Sequence, residues 1–140
     1  VLVVETDPTA ARLVAAAIAA RLLNTEVEIA GSLVSAAHRL RQIPFNAVLA
    51  CTSLSDDPFD TLSHLKPLVA GPVLLFGAGE LGFAVEAMRR GADDVLTRGV
   101  APYLMAERLA ARLDELSAQP LAAFVPGRAG APAPARQAAE

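Results

Sequence analysis

The chain has 140 residues, 54% of them hydrophobic, with a net charge of −3 and one cysteine. That is enough for a single domain with its own core. The acidic balance excludes a broad basic surface for nucleic acid, and no apolar run approaches the roughly 20 residues of a membrane span. A lone cysteine excludes an internal disulfide framework and fits a reducing cytoplasm. The opening run VLVVE lacks both Met and an export signal, so the expectation is a segment of a longer or trimmed protein. Among twelve basic residues only Lys66 is a lysine, an arginine bias that fits a GC-rich bacterial genome.

Strand and helix signals alternate along the chain. Val1–Glu5 reads as a short strand, after which Asp7 and Pro8 supply a cap and a pre-set first turn for a helix to about Leu23. Val14, Ile18 and Leu22 recur every four residues and predict its buried stripe. Val27–Ala30 is a second strand, followed by a helix from Leu33 to Gln42 that Pro44 prevents from continuing. Ala47–Cys51 is the third strand, Thr52–Pro58 a polar loop, and Asp60 the expected cap of a helix to about Val69. Gly71-Pro72 breaks the chain before a strand over Val73–Phe76. A helix from Leu81 to Arg90 follows, stopped by Gly91. Asp94–Leu96 is the fifth strand, and Pro102 opens a last helix to about Ser117. Short apolar strands separated by helices predict a five-stranded parallel sheet covered on both faces. Beyond residue 117 the Pro, Ala and Gly content without apolar periodicity reads as a linker or tail over 118–140.

Four segments, in this order and spacing, resemble the receiver domain of bacterial two-component response regulators: VLVVETDP, Phe45–Cys51, Pro72–Phe76 and Gly91-Ala92-Asp93-Asp94. The resemblance covers residues 1–117 and implies the flavodoxin-like receiver fold. In that family two adjacent acids hold Mg²⁺, a third carboxylate accepts a phosphoryl group, and a hydroxyl and a lysine neutralise its oxygens. This chain keeps Glu5 but has Thr6 at the second acid, Cys51 at the acceptor, Gly77 at the hydroxyl and Arg98 at the lysine. Gly99 stands for the family's proline, and Val95 for its aromatic switch residue. A thiol forms no acyl phosphate, and a hard divalent cation wants several oxygen ligands. The expectation is therefore a pseudo-receiver without metal, cofactor or enzymatic activity. Asp7 reads as a helix cap, and Arg98 either as an internal cation reaching Glu5 across the pocket or as a solvated loop arginine.

Other features admit sharper readings. Gly77-Ala78-Gly79-Glu80-Leu81-Gly82 fits GxGxxG, but it follows the fourth strand, and Asp93 and Asp94 precede the next strand rather than close it. A flexible connection is the better reading. Cys51 beside Arg98 has the outline of a redox thiol, weighed against an inert buried hydrophobe. His38 and His64 lie on different helices with no triad or metal partners.

Arg89, Arg90, Arg98, Tyr103, Arg108 and Arg112 fall on the fourth helix, fifth strand and fifth helix, with Glu107 and Asp114 to balance them. In the receiver family that surface serves dimers and partner domains, and arginine and tyrosine are common interface anchors. The function expected is a regulatory module acting by protein contact. Its partners would be a neighbouring effector or kinase domain or a second copy, not nucleic acid or membrane. The alternative is a sensor of a cyclic dinucleotide on the same arginines.

Overall fold

The structure, a computed structural model, describes residues 1–123. Val1–Ala110 forms one compact unit, and a second begins at Ala111. The strands are β1 (Leu2–Val4), β2 (Glu28–Ala30), β3 (Val48–Cys51), β4 (Val73–Ala78) and β5 (Asp94–Thr97). They form one parallel sheet in the order β2-β1-β3-β4-β5. The helices are α1 (Pro8–Arg21), α2 (Leu33–Gln42), α3 (Pro58–Leu65), α4 (Leu81–Arg89) and α5 (Pro102–Ala123). The expected parallel sheet with helices on both faces is present.

Alternation along the strands divides the core. Leu2, Val4, Ala30, Val48, Ala50, Val73 and Leu75 pack with Ala36, Leu40, Leu62, Leu65 and Ala87 from α2, α3 and α4. The intervening Val3, Leu49 and Leu74 point to the other face, and all three are fully buried. There α1 contributes Ala11, Val14 and Ile18, and the first part of α5 contributes Met105, Ala106, Leu109 and Ala110. The central strands β1, β3 and β4 are therefore continuous apolar runs, as burial on both faces requires.

Several boundaries differ from the sequence expectation, each for a local reason. Asp7 caps α1 by accepting the Thr9 N–H at 3.0 Å. Leu22, expected in the stripe, is instead the half-buried C-cap, and Ala11 completes the buried row. The cap of α3 is Asp57, which accepts the Phe59 N–H at 2.9 Å with Pro58 in the first turn. Asp60 sits inside that turn and accepts the Ser55 hydroxyl instead. A 3₁₀ turn over Lys66–Leu68 follows α3, because Pro67 cannot donate to a continuing helix.

β4 runs past Phe76 through an irregularity. Phe76 pairs with Leu96 and Ala78 with Thr97, so Gly77 is an extra residue bulging out of the ladder. Helix α5 continues to Ala123, beyond the expected end at Ser117. The rest of the expected 118–140 tail lies outside the described residues.

In this order β1 and β3 are neighbours, with β2 on one side and β4 and β5 on the other. The direction of winding reverses between β1 and β3. In open α/β sheets a crevice opens at that switch, outside the carboxyl ends of the strands. Glu5 follows β1 there and Cys51 ends β3.

Candidate functional site

A cavity of about 260 Å³ lies at this point, lined by Glu5, Cys51, Gly77 and Arg98 together with Thr52, Ser53, Phe76, Thr97, Gly99 and Met105. Four of the five expected pocket residues therefore share one cavity. Thr6 does not line it and is exposed. A neighbouring cavity of about 320 Å³ shares Thr52, Ser53, Gly77 and Arg98 and adds Gly79, Glu80 and Phe83 from the loop into α4.

The polar groups around the cavity are already engaged in local structure. Glu5 is half-buried, and its Oε2 accepts the Asp7 N–H at 3.0 Å. Cys51 is buried, with its Sγ 3.0 Å from the Ser53 hydroxyl. Ser53 was not singled out in the sequence, although the polar TS after the strand marks the place. Arg98 does not pair with Glu5: among the described residues it forms no ion pair. Its guanidinium lies along the loop before α4, where a Cβ at Gly79 would come within 3.2 Å of it. The expected internal bridge is thus replaced by a cation turned toward Gly79.

The backbone of the pocket has also changed. Gly77 and Gly99 both have φ of +89°, a conformation that L side chains adopt only with strain. At Gly77 a Cβ would meet Thr52 Oγ1 at 3.5 Å and Cys51 Sγ at 3.6 Å, which is ordinary contact. Space is available there, but the φ angle disfavours any other residue. Proline, held near −65°, cannot adopt the Gly99 conformation.

The donors present do not fit Mg²⁺. A hard cation in a receiver-like pocket needs carboxylate oxygens. Here Glu5 supplies one carboxylate, Asp7 is committed to capping α1, and Cys51 offers a soft thiol. Among the described residues no group of three His, Cys, Asp or Glu is placed to hold a metal.

Most arginines of the expected contact surface are engaged by local partners. Arg90 turns toward α3, with its guanidinium 4.1 Å above the Phe59 ring, and pairs with Glu86 at 2.9 Å. Arg89 lies 3.8 Å from the same Glu86. Arg108 Nη2 is 2.7 Å from the carboxylate of Asp94, the first residue of β5. Arg98 follows the last residue of that strand, so the two are separated by its length, roughly 13 Å. Tyr103 is exposed. Arg112 pairs with Glu115 at 2.8 Å in the second unit. Glu107, expected to balance this face, pairs with Arg21 of α1 at 2.8 Å.

No family model matches the chain, and no curated protein matches it. Solved structures do. A CheY-like response regulator receiver domain from Methanospirillum hungatei JF-1 is similar with a TM-score of 0.72 at 22% identity, over 84% of this chain and 95% of that one. NtrX from Brucella abortus gives a TM-score of 0.72 at 24% identity, over 94% of this chain and 31% of NtrX. A Burkholderia pseudomallei response regulator with a phosphorylated aspartic acid, a calcium ion and citrate gives 0.66 at 20% identity, over 89% and 74%. At these identities the likeness is one of fold, and the fold of this chain is the flavodoxin-like fold of receiver domains.

Proposed function

We propose that the chain is a receiver-like regulatory module of bacterial two-component-type signalling that works by protein contact rather than by phosphoryl transfer. The observation that carries this reading is the content of the cavity at the switch point. Where a phosphoryl acceptor and its metal would need several carboxylates, there is one, Glu5, beside the thiol of Cys51. Two left-handed glycines, Gly77 and Gly99, form part of the same wall, so a hydroxyl or a proline could not be regained without reshaping the backbone.

A pocket that takes up no charge has no input with which to shift the fold between two states. What remains useful is the surface. NtrX is longer than this chain, which supports a setting in which such a module is tethered to an effector or kinase unit. On this reading the module lies in the cytoplasm, needs no cofactor and catalyses nothing.

The test is intact-mass measurement after incubation with acetyl phosphate and Mg²⁺, and separately with a histidine kinase. The expected result is an unchanged mass. A stable gain of one phosphate, lost on changing Cys51 or Asp7, would overturn the reading.

A further inference from the structure

The neighbouring cavity of about 320 Å³ holds charges of both signs. Arg98 lines it from the end of β5, Asp56 from the loop after β3, and Glu80 from the start of α4. None of the three side chains forms an ion pair or a hydrogen bond among the described residues. Elsewhere such charges have found partners, as Glu28 has in Arg39 and Asp93 in Lys66. A cation and two acids thus border one space without meeting. The space is of a size that small-molecule sites use.

A buried hydroxyl on the same wall also lacks a partner. Thr52 is 8% exposed, and its Oγ1 makes no hydrogen bond among the described residues. It lines the cavity and faces Gly77, where a Cβ would lie 3.5 Å away. Buried polar groups ordinarily have partners, and the cavity is where one can reach this hydroxyl. The start of α4 adds to the same wall. Glu80 is its N-cap, but the side chain caps nothing, so the first-turn N–H groups favour a negative group nearby. Phe83, packed against Phe59 at 4.9 Å between centroids, supplies an apolar surface.

We propose that this cavity binds a small free α-amino acid. The carboxylate meets the Arg98 guanidinium and the Thr52 hydroxyl, the ammonium meets Asp56 and Glu80, and the side chain rests on Phe83. Simpler ligands fit worse: a bare anion satisfies Arg98 but opposes two carboxylates, and a bare amine is opposed by Arg98. A zwitterion carries both charges and adds none to the protein. The site goes beyond the contact reading by giving the module a small-molecule input.

Titration calorimetry of the 140-residue chain with the common α-amino acids, each alone at millimolar concentration, tests this. At least one should bind saturably, with acetate and methylamine each binding about tenfold more weakly or worse, since each engages only one end. Arg98→Ala should weaken the best amino acid about tenfold, and Thr52→Val about threefold, each through a lost hydrogen bond. Arg98→Lys keeps the charge and should recover part of the loss. Arg98 is exposed and unpaired, so its variants should melt close to wild type, and they decide the matter should Thr52→Val fail to fold.

No binding by any amino acid would overturn the proposal. So would acetate binding as tightly as the best amino acid, which would mark an anion site only, or binding indifferent to Arg98→Ala. Phosphorylation is read separately by mass. A phosphate gain would overturn the functional reading and leave the titration standing, whereas an empty titration without phosphate would overturn only the amino-acid site.

Discussion

The two rims of the sheet use their charges differently. At the amino ends of the strands acids are paired with bases. Glu28 pairs with Arg39, Asp93 with Lys66, and Asp94 with Arg108. At the carboxyl ends acids serve the backbone: Asp7 and Asp57 cap helices, and Glu5 accepts a loop N–H. Arg98, the cation lining the cavity there, has no ion pair among the described residues. The winding explains the division. In a parallel sheet each helix returns antiparallel to the strands, so helix N-termini gather at the carboxyl rim and C-termini at the amino rim. Acids favour the first and bases the second, and Arg21, Arg39, Arg41 and Arg89 all fall in last turns. Acids at the amino rim join elements through ion pairs, whereas acids at the carboxyl rim satisfy backbone donors.

The largest expected effect is the response to Mg²⁺ once the carboxyl rim is forced to carry more charge. Thr6→Asp with Cys51→Asp should lower stability by about 1–2 kcal/mol without metal, since like charges would crowd Glu5. Mg²⁺ should then restore it, by about 2.7 kcal/mol at a hundred times the dissociation constant. Wild-type melting should be unaffected by millimolar Mg²⁺. A clear stabilisation of wild type would show that the natural pocket holds the ion.

The next effect sharpens the contrast between rims. Asp93 Oδ2 accepts both the Lys66 ammonium at 2.9 Å and the Val73 N–H at the start of β4 at 2.8 Å. Asp93→Ala leaves both donors without that acceptor and should cost about 2 kcal/mol. Glu5→Gln retains an acceptor for Asp7, and Arg98→Ala breaks no ion pair, so each should change stability by no more than about 0.5 kcal/mol. Chemical denaturation of the three variants measures the difference. Equal losses at both rims would erase the distinction.

Much of this was legible in the sequence, but unevenly. The succession of strands and helices along the chain followed from residues that specify locally: Asp7-Pro8 starting α1, Gly91 ending α4, and apolar strands too short to be helices. The pocket was legible because Glu5, Cys51, Gly77 and Arg98 each follow or end a strand at the same rim. Side-chain direction was not. Whether Arg98 reaches Glu5 or Gly79 depends on the loop conformation, which spacing does not encode. Arg108 seemed a surface cation by helix period alone, but its partner Asp94 lies 14 residues earlier and meets it only through the packing of α5 on β5. The bulge at Gly77 was hidden for a similar reason: a glycine after a strand reads equally as its end or as an extra residue within it.

That bulge gives a smaller effect. Gly77→Ala has room for its methyl group but must adopt φ near +89°, so a loss of about 1 kcal/mol is expected. Ala78→Gly, in the same segment but at negative φ, would remove a buried methyl instead. Urea midpoints separate strain from packing, because a second substitution that removes the nearest atom beside residue 77, Thr52→Ala, should not rescue Gly77→Ala. Rescue would mean that crowding, not backbone conformation, keeps glycine there.

The smallest effect concerns the amino rim and pH. Arg39 Nε and Nη2 donate to the two Glu28 oxygens at 2.7 and 2.9 Å, joining α2 to β2. These hydrogen bonds, reinforced by the charge attraction, hold the Glu28 carboxyl below the usual glutamate value, although its partial desolvation opposes them. Glu28 likewise raises Arg39 above its ordinary value, so the guanidinium stays charged throughout the range of interest. A carboxyl whose folded value is depressed stabilises the fold above its unfolded value and loses that contribution as pH falls through the folded one. The pair should therefore matter at pH 7 and fade below about pH 4, the ordinary glutamate range. Both side chains are accessible to water, so the effect is slight and salt weakens it further. Urea midpoints of wild type and Glu28→Gln should differ at pH 7 and converge near the acid limit of folding. A difference that persists unchanged at low pH would assign the loss to packing of the side chain rather than to its charge.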